Sequence, residues 1–314
     1  MRILTWRMDN GFKELAEQDY RTKFALSLKD KDCLTILRAL TFDGASPAVT
    51  IADIEELFDF IERKVLGKKM AGIGCEVGAG AAVFSAILAK RSDVSQMYAV
   101  EVCAPLVTEL MPQVVLAIAG LHVEKVVGCI GDFNRLEIPD GSLDFIFDFF
   151  SLHHSADIGV TLLECRRVLR RGGMLIALDK ARPDSMTDAD HARMLNKEYD
   201  DTYKKQFGIP LTQRLSRRDN GEHEYRLKDW HIAFISGGFS RFEHFRLDNP
   251  SGGPLPLQII KKGISFLPPR FQPFFSRFLP HGNDVFDLSW KNRIFTSTLG
   301  HFRKEISLLV AYAD

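Results

Sequence analysis

Three observations predict an α/β fold built on a doubly wound, mostly parallel sheet. Apolar strand-like runs alternate with amphipathic helical runs between residues 70 and 180. A glycine-rich turn, Gly78-Ala79-Gly80, follows the first of these strands, and the second strand ends in a carboxylate, Glu101. Strands separated by helices pair in parallel, because each crossover returns the chain to the same edge of the sheet.

The elements follow in order. Residues 1–69 read as an N-terminal helical cap. Ile54, Leu57, Phe58, Ile61 and Val65 recur at helical spacing, and Thr50 with Asp53 forms a capping pair before them. The spacing predicts a strand over 70–77, a helix over 81–91, a strand over 97–101, a helix over 104–120 and a strand over 125–130. The run Leu143-Asp-Phe-Ile-Phe-Asp-Phe-Phe150 is almost wholly apolar, as a strand buried on both faces should be. A helix with Leu162, Cys165 and Leu169 on one stripe follows, and Gly172 or Gly173 is expected to end it in the left-handed conformation. Met174 to Asp179 is then a fifth strand. Beyond residue 181 a charged helical stretch over 187–206 leads through a polar loop to 227–235, to a strand over 241–247 and to a last strand over 306–312. Residues 70–247 with 305–314 form the expected core. Residues 248–304 form a Phe/Pro-rich insert containing Phe266, Phe271, Phe274, Phe275, Phe278 and Phe286, suited to a helical and aromatic lid, a substrate surface or a dimer surface.

Composition narrows the function. Lys+Arg and Asp+Glu are 41 each, so no net field draws the chain toward nucleic acid or an anionic membrane. The five cysteines are scattered without a CxxC pair or zinc spacing, which fits buried thiols in a reducing, cytoplasmic setting. The longest uncharged segment, Leu110 to Val123, is too short for a membrane span and contains Pro112. The residues between 264 and 280 mix aromatics with Arg270 and Arg277, a composition that allows a peripheral membrane contact or a homodimer surface.

Ligands of open parallel sheets sit beyond the carboxyl ends of the strands. The first strand ends at Glu76 and the Gly78-Ala79-Gly80 turn, the second at Glu101-Val102, the third at Asp132-Phe133 and the fourth at Asp148-Phe149. Glycines let backbone approach a ligand, an acid can accept from both ribose hydroxyls, and Asp132 can accept from an adenine amino group beside Phe133. Several acids at neighbouring strand tips repel a polyphosphate, so a nucleoside without phosphates is favoured. Glu76 stands where dinucleotide-binding folds keep an apolar residue.

With these motifs in place, the chain resembles the class I S-adenosylmethionine-dependent methyltransferases, in particular the small-molecule, methyltransferase type 11-like group. Its signatures read here as Ile138-Pro-Asp-Gly-Ser-Leu-Asp144 and Arg167-Val-Leu-Arg-Arg-Gly-Gly173. The resemblance implies a seven-stranded sheet whose last strand runs antiparallel. It further implies that Glu76, Gly78 and Gly80 hold the methionine part of S-adenosylmethionine, that Glu101 binds the ribose, and that Asp132 and Phe133 lie at the adenine. S-adenosylhomocysteine would be the product. The chain departs from the family pattern in three places: Ala82 replaces the third glycine, Leu143 replaces the commoner phenylalanine, and Arg171 replaces the proline before the double glycine.

Ser151-Leu-His-His154 follows the fourth strand, where the family places groups that face the methyl and the acceptor. Methyl transfer is an in-line displacement; the protein supplies alignment and, for a hydroxyl, a general base, which His153 or His154 could provide. The same pair could simply pack or cap the next helix, and adjacent histidines rarely point the same way. No further ligands at helical spacing accompany them, so no metal centre is expected. Glu222, His223 and Glu224 in a polar loop could bind a polyol or sugar, or belong to a solvated surface. Tyr199 and Tyr203, four apart on a helix, could roof the cleft or pack in the core. The leading expectation is a methyltransferase acting on an oxygen, less so a nitrogen, of a small molecule such as a sugar, natural product or lipid-linked acceptor. A nonenzymatic binding or regulatory protein on the same fold is the alternative. An NAD(P)-dependent oxidoreductase comes third, opposed by Glu76, by Val83 in the register of the third glycine and by the lack of a Tyr-x-x-x-Lys pair.

Overall fold

The computed structural model describes residues 1–8, 25–32, 35–36, 50–206, 209–248, 255–268, 270–276, 293–295 and 306–314. The expectations placed on Arg277, Phe278 and Phe286 lie outside the described residues.

Among the described residues, nine strands form one sheet in the order β1-β4-β3-β2-β5-β6-β9-β7-β8. They are β1 (Arg2–Thr5), β2 (Gly72–Val77), β3 (Val94–Glu101), β4 (Val126–Ile130), β5 (Leu143–Phe149), β6 (Leu169–Asp179), β7 (Arg241–Asp248), β8 (Arg293–Phe295) and β9 (Ile306–Ala313). β1 through β6 pair in parallel, and β9 runs antiparallel between β6 and β7. The predicted seven strands are β2 to β7 with β9, in the predicted sense. The two additions sit at the edges. β1 comes from the segment expected to be wholly helical, and β8 from the aromatic insert.

β1 was missed because four residues on an edge show too little periodicity to read. Its place is nevertheless tightly specified. Trp6 donates its N–H to Ile130 O at 2.8 Å and buries its ring over Gly131, where a Cβ would meet ring carbons at 2.9 Å.

Helices cover both faces. α1 (Ile51–Ile61), α2 (Val83–Ala89) and α3 (Met111–Ala119) bury one face, joined by Phe145 and Phe147 of β5 and Val310 of β9. α1 opens with the predicted capping box: Asp53 N–H donates to Thr50 Oγ1 and Thr50 N–H to Asp53 Oδ2. The other face carries α4 (Ile158–Val168) and, later, α7 (Leu227–Ser236), packed on Cys75, Val77, Ile146, Leu175 and Ala311. Successive residues of β5 thus enter opposite cores, which is why that strand is apolar throughout. The short helices α5 (Asp188–Leu195) and α6 (Asp201–Gln206) divide the stretch predicted as one helix. Their break falls at Asn196, which closes α5. α8 (Leu255–Ser265) and α9 (Gln272–Ser276) belong to the insert.

Helical structure continues from Leu106 to Lys125, 20 residues long and apolar enough to cross a membrane. Met111, Val114, Val115 and Ile118 of this stretch are buried in the core against α2. It is accounted for as a core helix.

The glycine pair after α4 does not cap it. The helix ends at Val168, and Leu169 already pairs with Leu143 as β6 begins. The register then slips, so that Phe145 faces Met174, and Gly172 takes φ +77° within the irregularity. Helix propensity alone could not show this, because the partner strand decides where β6 starts.

The two signature motifs meet as one scaffold. Arg167 donates to Leu136 O at 2.8 Å and Ile138 O at 3.0 Å, pairs with Glu164 at 2.7 Å, and contacts the Asp140 carboxylate. Asp144 accepts from Ile73 N–H at 2.6 Å and pairs with Arg170. These residues fix β5 against β2 and β6 without reaching the strand tips.

Candidate active site

The strand order reverses between β2 and β5, the switch point at which open α/β sheets bind ligands. Along this edge the tips stand as Asp132, Glu101, the Gly78–Gly80 turn, Asp148 and Asp179 on β4, β3, β2, β5 and β6. Glu76, Glu101, Asp132, Asp148 and Asp179 are all buried.

The glycine turn is specified from two sides. Gly78 has φ +64°, and a Cβ there would lie 2.2 Å from Ser151 Cβ, so the turn packs directly on the β5 tip. Ser151 Oγ donates to Gly78 O at 3.1 Å. Gly80 has φ +53° with open space around the position of a Cβ. Ala79 N–H continues toward β3 by donating to Val100 O at 2.8 Å. Ala82, the departure from the third glycine, keeps the conformation a glycine would take: its φ is +58°. The methyl is fully buried, so the left-handed backbone is held by packing.

The acids do structural work as well. Glu101 accepts Gly80 N–H at 3.0 Å and Cys103 N–H at 2.9 Å, tying the turn to the tip of β3. Glu76 Oε2 accepts both the N–H and the hydroxyl of Ser85, at 2.7 and 2.5 Å. Burial pushes the Glu76 carboxyl up to about 7, with the Ser85 bonds opposing and Glu101 adding to the rise. Asp132 Oδ1 accepts Asn134 N–H at 2.6 Å, and Phe133 is buried in the core cluster that holds Trp6. Val102 and Phe149 are partly buried beside them. Phe149 lies 4.5 Å from Phe84 between ring centroids.

Beyond β5 and β6 lies a second, denser polar cluster. Asp148 Oδ1 caps the turn at Ser151 and Leu152, accepting at 3.1 and 3.0 Å, while its Oδ2 is buried without a hydrogen bond. Burial, and then the neighbouring Asp179, hold the Asp148 carboxyl well above the ordinary range. His153 is 1% exposed. Its Nδ1 donates to Asp179 Oδ1 at 2.6 Å and its backbone N–H to Asp179 Oδ2 at 2.9 Å. The other ring nitrogen, Nε2, has no hydrogen bond and faces Glu222 Oε2 at 3.4 Å. Burial first, then Lys180 and His154, keep His153 neutral, well below the usual histidine range. Burial works against ionised Glu222, but the neighbouring imidazole of His153 and Lys180 Nζ, at 2.6 Å, outweigh it and hold its carboxyl low.

Contrary to the expectation for adjacent histidines, the rings of His153 and His154 lie together, 4.2 Å between centroids. The backbone allows this because Leu152–His154 is a tight helical turn, preceded by Phe150 at φ +54°. His154 Nδ1 donates to Gly221 O at 3.3 Å. One ring nitrogen from each histidine and a carboxylate oxygen of Glu222 lie within 4.8 Å of one another.

The polar loop joins this cluster. Tyr199 donates to Glu222 Oε1 at 3.0 Å, and Asn220 Nδ2 donates to Tyr199 and Tyr203 hydroxyls at 3.1 and 3.3 Å. The two tyrosine rings stack at 3.9 Å. Glu224, at φ +54°, is fully buried and enclosed by Arg182 and Arg217, which makes it an anchor for the loop. His223 donates its backbone N–H to His153 O at 3.2 Å and stacks its ring on Tyr225. Sequence reasoning missed Asp179, Lys180, Arg182 and Asn220. The first two were findable, since they stand at the tip of the fifth predicted strand.

Comparison with known proteins fits this arrangement. Residues 75–177 match the family model described as a methyltransferase domain. Over these residues the chain is similar to a methyltransferase domain. It is 34% identical over 86 residues to the ubiquinone/menaquinone biosynthesis C-methyltransferase UbiE of Caulobacter sp. (strain K31), covering 26% of this chain and 31% of that protein. It is 34% identical over 76 residues to malonyl-[acyl-carrier protein] O-methyltransferase 1 of Coxiella burnetii, covering 23% of this chain and 27% of that protein. The chain thus spans less than a third of the length of these curated relatives. Among solved structures, a protein of Galdieria sulphuraria described as a sarcosine dimethylglycine methyltransferase superposes with a TM-score of 0.51 at 15% identity. That match covers 94% of this chain and 98% of the other, and speaks for the fold.

Proposed function

We propose that this protein transfers the methyl group of S-adenosylmethionine to an oxygen of a small-molecule acceptor. The observation that carries the choice of oxygen is His153, whose buried Nε2 has no hydrogen bond while its Nδ1 is held by Asp179.

The cofactor fits the residues at the switch point. The Gly78–Gly80 turn is open at Gly80, where a Cβ would find nothing within 4 Å. Glu76 with Gly78, Ala79 and Gly80 would hold the methionine part. Glu101 and Val102 would take the ribose, Asp132 and Phe133 the adenine, while Asp148 and Phe149 close the cleft toward the acceptor. When bound, the cofactor supplies a methyl group on a sulfonium, already activated for in-line displacement.

The chain's own contribution is alignment and one proton. His153 Nε2 takes the proton of the acceptor's O–H as a base, and Asp179 keeps its lone pair on the side of Glu222 by holding Nδ1–H. Glu222, fixed by Lys180 and Tyr199, supports the imidazolium that forms. Tyr199, Tyr203 and Asn220 roof this end of the cleft. The names of the two curated relatives divide between a carbon and an oxygen acceptor. The proton-accepting histidine favours oxygen.

Calorimetric titration with S-adenosylmethionine and S-adenosylhomocysteine, with NAD and NADP as controls, tests the cofactor. Binding of the two sulfur nucleosides alone is expected. Incubation with labelled cofactor and a panel of hydroxylated acceptors then tests the transfer. Label carried only by carbon or nitrogen positions would overturn the oxygen reading, and failure to bind either sulfur nucleoside would overturn the cofactor reading.

A further inference from the structure

We infer that His153, His154 and Glu222 form a binding site for a divalent transition-metal ion of the zinc class. The inference deepens the reading above by giving the acceptor end a Lewis acid, and it rests on that reading only for what the ion is for.

Four observations lead to it. First, His153 Nε2 is buried and without a hydrogen bond, yet stands 3.4 Å from a carboxylate oxygen. Two lone pairs facing each other at this distance are poorly placed for each other. They are well placed as neighbouring ligands of one ion: metal bonds of 2.0–2.1 Å at a tetrahedral angle separate ligand atoms by roughly 3.4 Å. Second, His154 brings a third donor, all three donor atoms lying within 4.8 Å of one another. Third, His153 donates its other N–H to Asp179 at 2.6 Å. A carboxylate behind a ligating imidazole is the usual outer support of such sites, since it fixes ring orientation and raises ligand basicity. Fourth, a cation already lies against the carboxylate. Lys180 Nζ sits 2.6 Å from Glu222 Oε2, with Glu224 Oε1 3.8 Å away as an alternative partner. The ammonium marks where positive charge is favoured, and it has somewhere to go when an ion arrives.

Two imidazoles with one carboxylate select zinc or a similar ion over magnesium, which prefers oxygen ligands. Three protein ligands leave a fourth position open. An acceptor hydroxyl bound there becomes more acidic, loses its proton to water, and its oxygen then forms the new bond to the methyl carbon as the carbon–sulfur bond breaks. His153 is a ligand in that state and the base in its absence.

The test uses the full chain after dialysis against chelator. Titration with Zn2+ by calorimetry, and with Co2+ by visible absorption, should show one ion per chain and the d–d spectrum of a tetrahedral N/O site. Glu222→Gln and His153→Asn should weaken Zn2+ binding at least tenfold, and Asp179→Asn by about 10–100-fold. Lys180→Met should strengthen it, a gain that a damaged fold would not produce. Absence of Zn2+ binding to folded protein overturns the inference. So does binding that is indifferent to Glu222→Gln and Lys180→Met. S-adenosylmethionine titrated into the same preparations separates the two readings: cofactor binding without ion binding removes the metal site alone, and ion binding without cofactor binding removes the transferase reading alone.

Discussion

Glu76 holds Ser85 in the fold and is the residue proposed here to meet the methionine part of the cofactor. With its folded pKa raised from 4.5 to about 7, ionisation costs the folded, ligand-free protein up to roughly 3 kcal/mol. The sign follows directly: this group's penalty is absent below pH 4.5, grows as pH rises toward 7, and is complete above it. A cationic methionine amino group reverses the preference, because it favours the carboxylate. Cofactor affinity should therefore rise with pH up to about 7, and calorimetry at pH 6 in buffers of different ionisation enthalpy should register proton release. Glu76→Gln should remove this dependence and raise thermal stability without cofactor at pH 8. At Glu101, replacement by alanine should weaken cofactor binding by about 1–3 kcal/mol, through lost charge-assisted bonds and a loosened glycine turn; unchanged affinity in the same titration would overturn the ribose assignment. His153→Ala should lower turnover while leaving cofactor affinity unchanged. Of these residues the sequence showed the types and the order. It did not show that Glu101 binds Gly80 N–H or that Glu76 binds Ser85, since such bonds depend on how neighbouring strands are staggered.

At the scale of elements, the two signature motifs are legible in sequence but their job is not. Arg167 joins the β4–β5 loop to α4 through two backbone carbonyls and two carboxylates. Lysine lacks the planar fork needed to reach all of them. Arg167→Lys should destabilise the fold by about 1–3 kcal/mol in urea unfolding and leave cofactor affinity intact. A loss of cofactor binding without a loss of stability would instead place this residue in the site. The failed cap at Gly172-Gly173 has a related lesson. A glycine pair after an amphipathic run reads as a helix stop, yet here pairing with β5 takes over three residues earlier. Periodicity located α4 because that helix buries a stripe, whereas it placed 227–235 without marking it as a helix. It located β1 not at all, because an edge strand of four residues buries almost nothing of its own.

At the scale of the whole molecule, sequence position and spatial position part company in the second polar cluster. His153 and Glu222 belong to different elements and share no spacing, so only the folded sheet brings Nε2 to the carboxylate. The first cluster was legible because a parallel sheet lines up strand tips by rule. The second depends on how the loop after α6 is pinned by Arg182 and Arg217, for which no rule exists. The sheet also unites distant ends. Trp6 lies under β4 and joins the same core as Phe133 at the proposed adenine pocket. Trp6→Ala should cost about 3 kcal/mol in denaturant unfolding and also weaken cofactor binding; an effect on neither would mean that β1 is dispensable to the core.

The position of β9 has a consequence for how the molecule comes into being. β6 is complete by residue 179, but the strand that covers its outer edge begins only at residue 306, and β7 waits for the same partner. During synthesis both edges stand open, with Leu175, Ile176 and Ala177 exposed to any extended segment nearby. The nascent chain is then a ready substrate for chaperones and for strand exchange between copies. Folding is expected to wait on that long-range closure, and the sheet, though β2 to β7 are made well before it, becomes permanent only when β9 arrives.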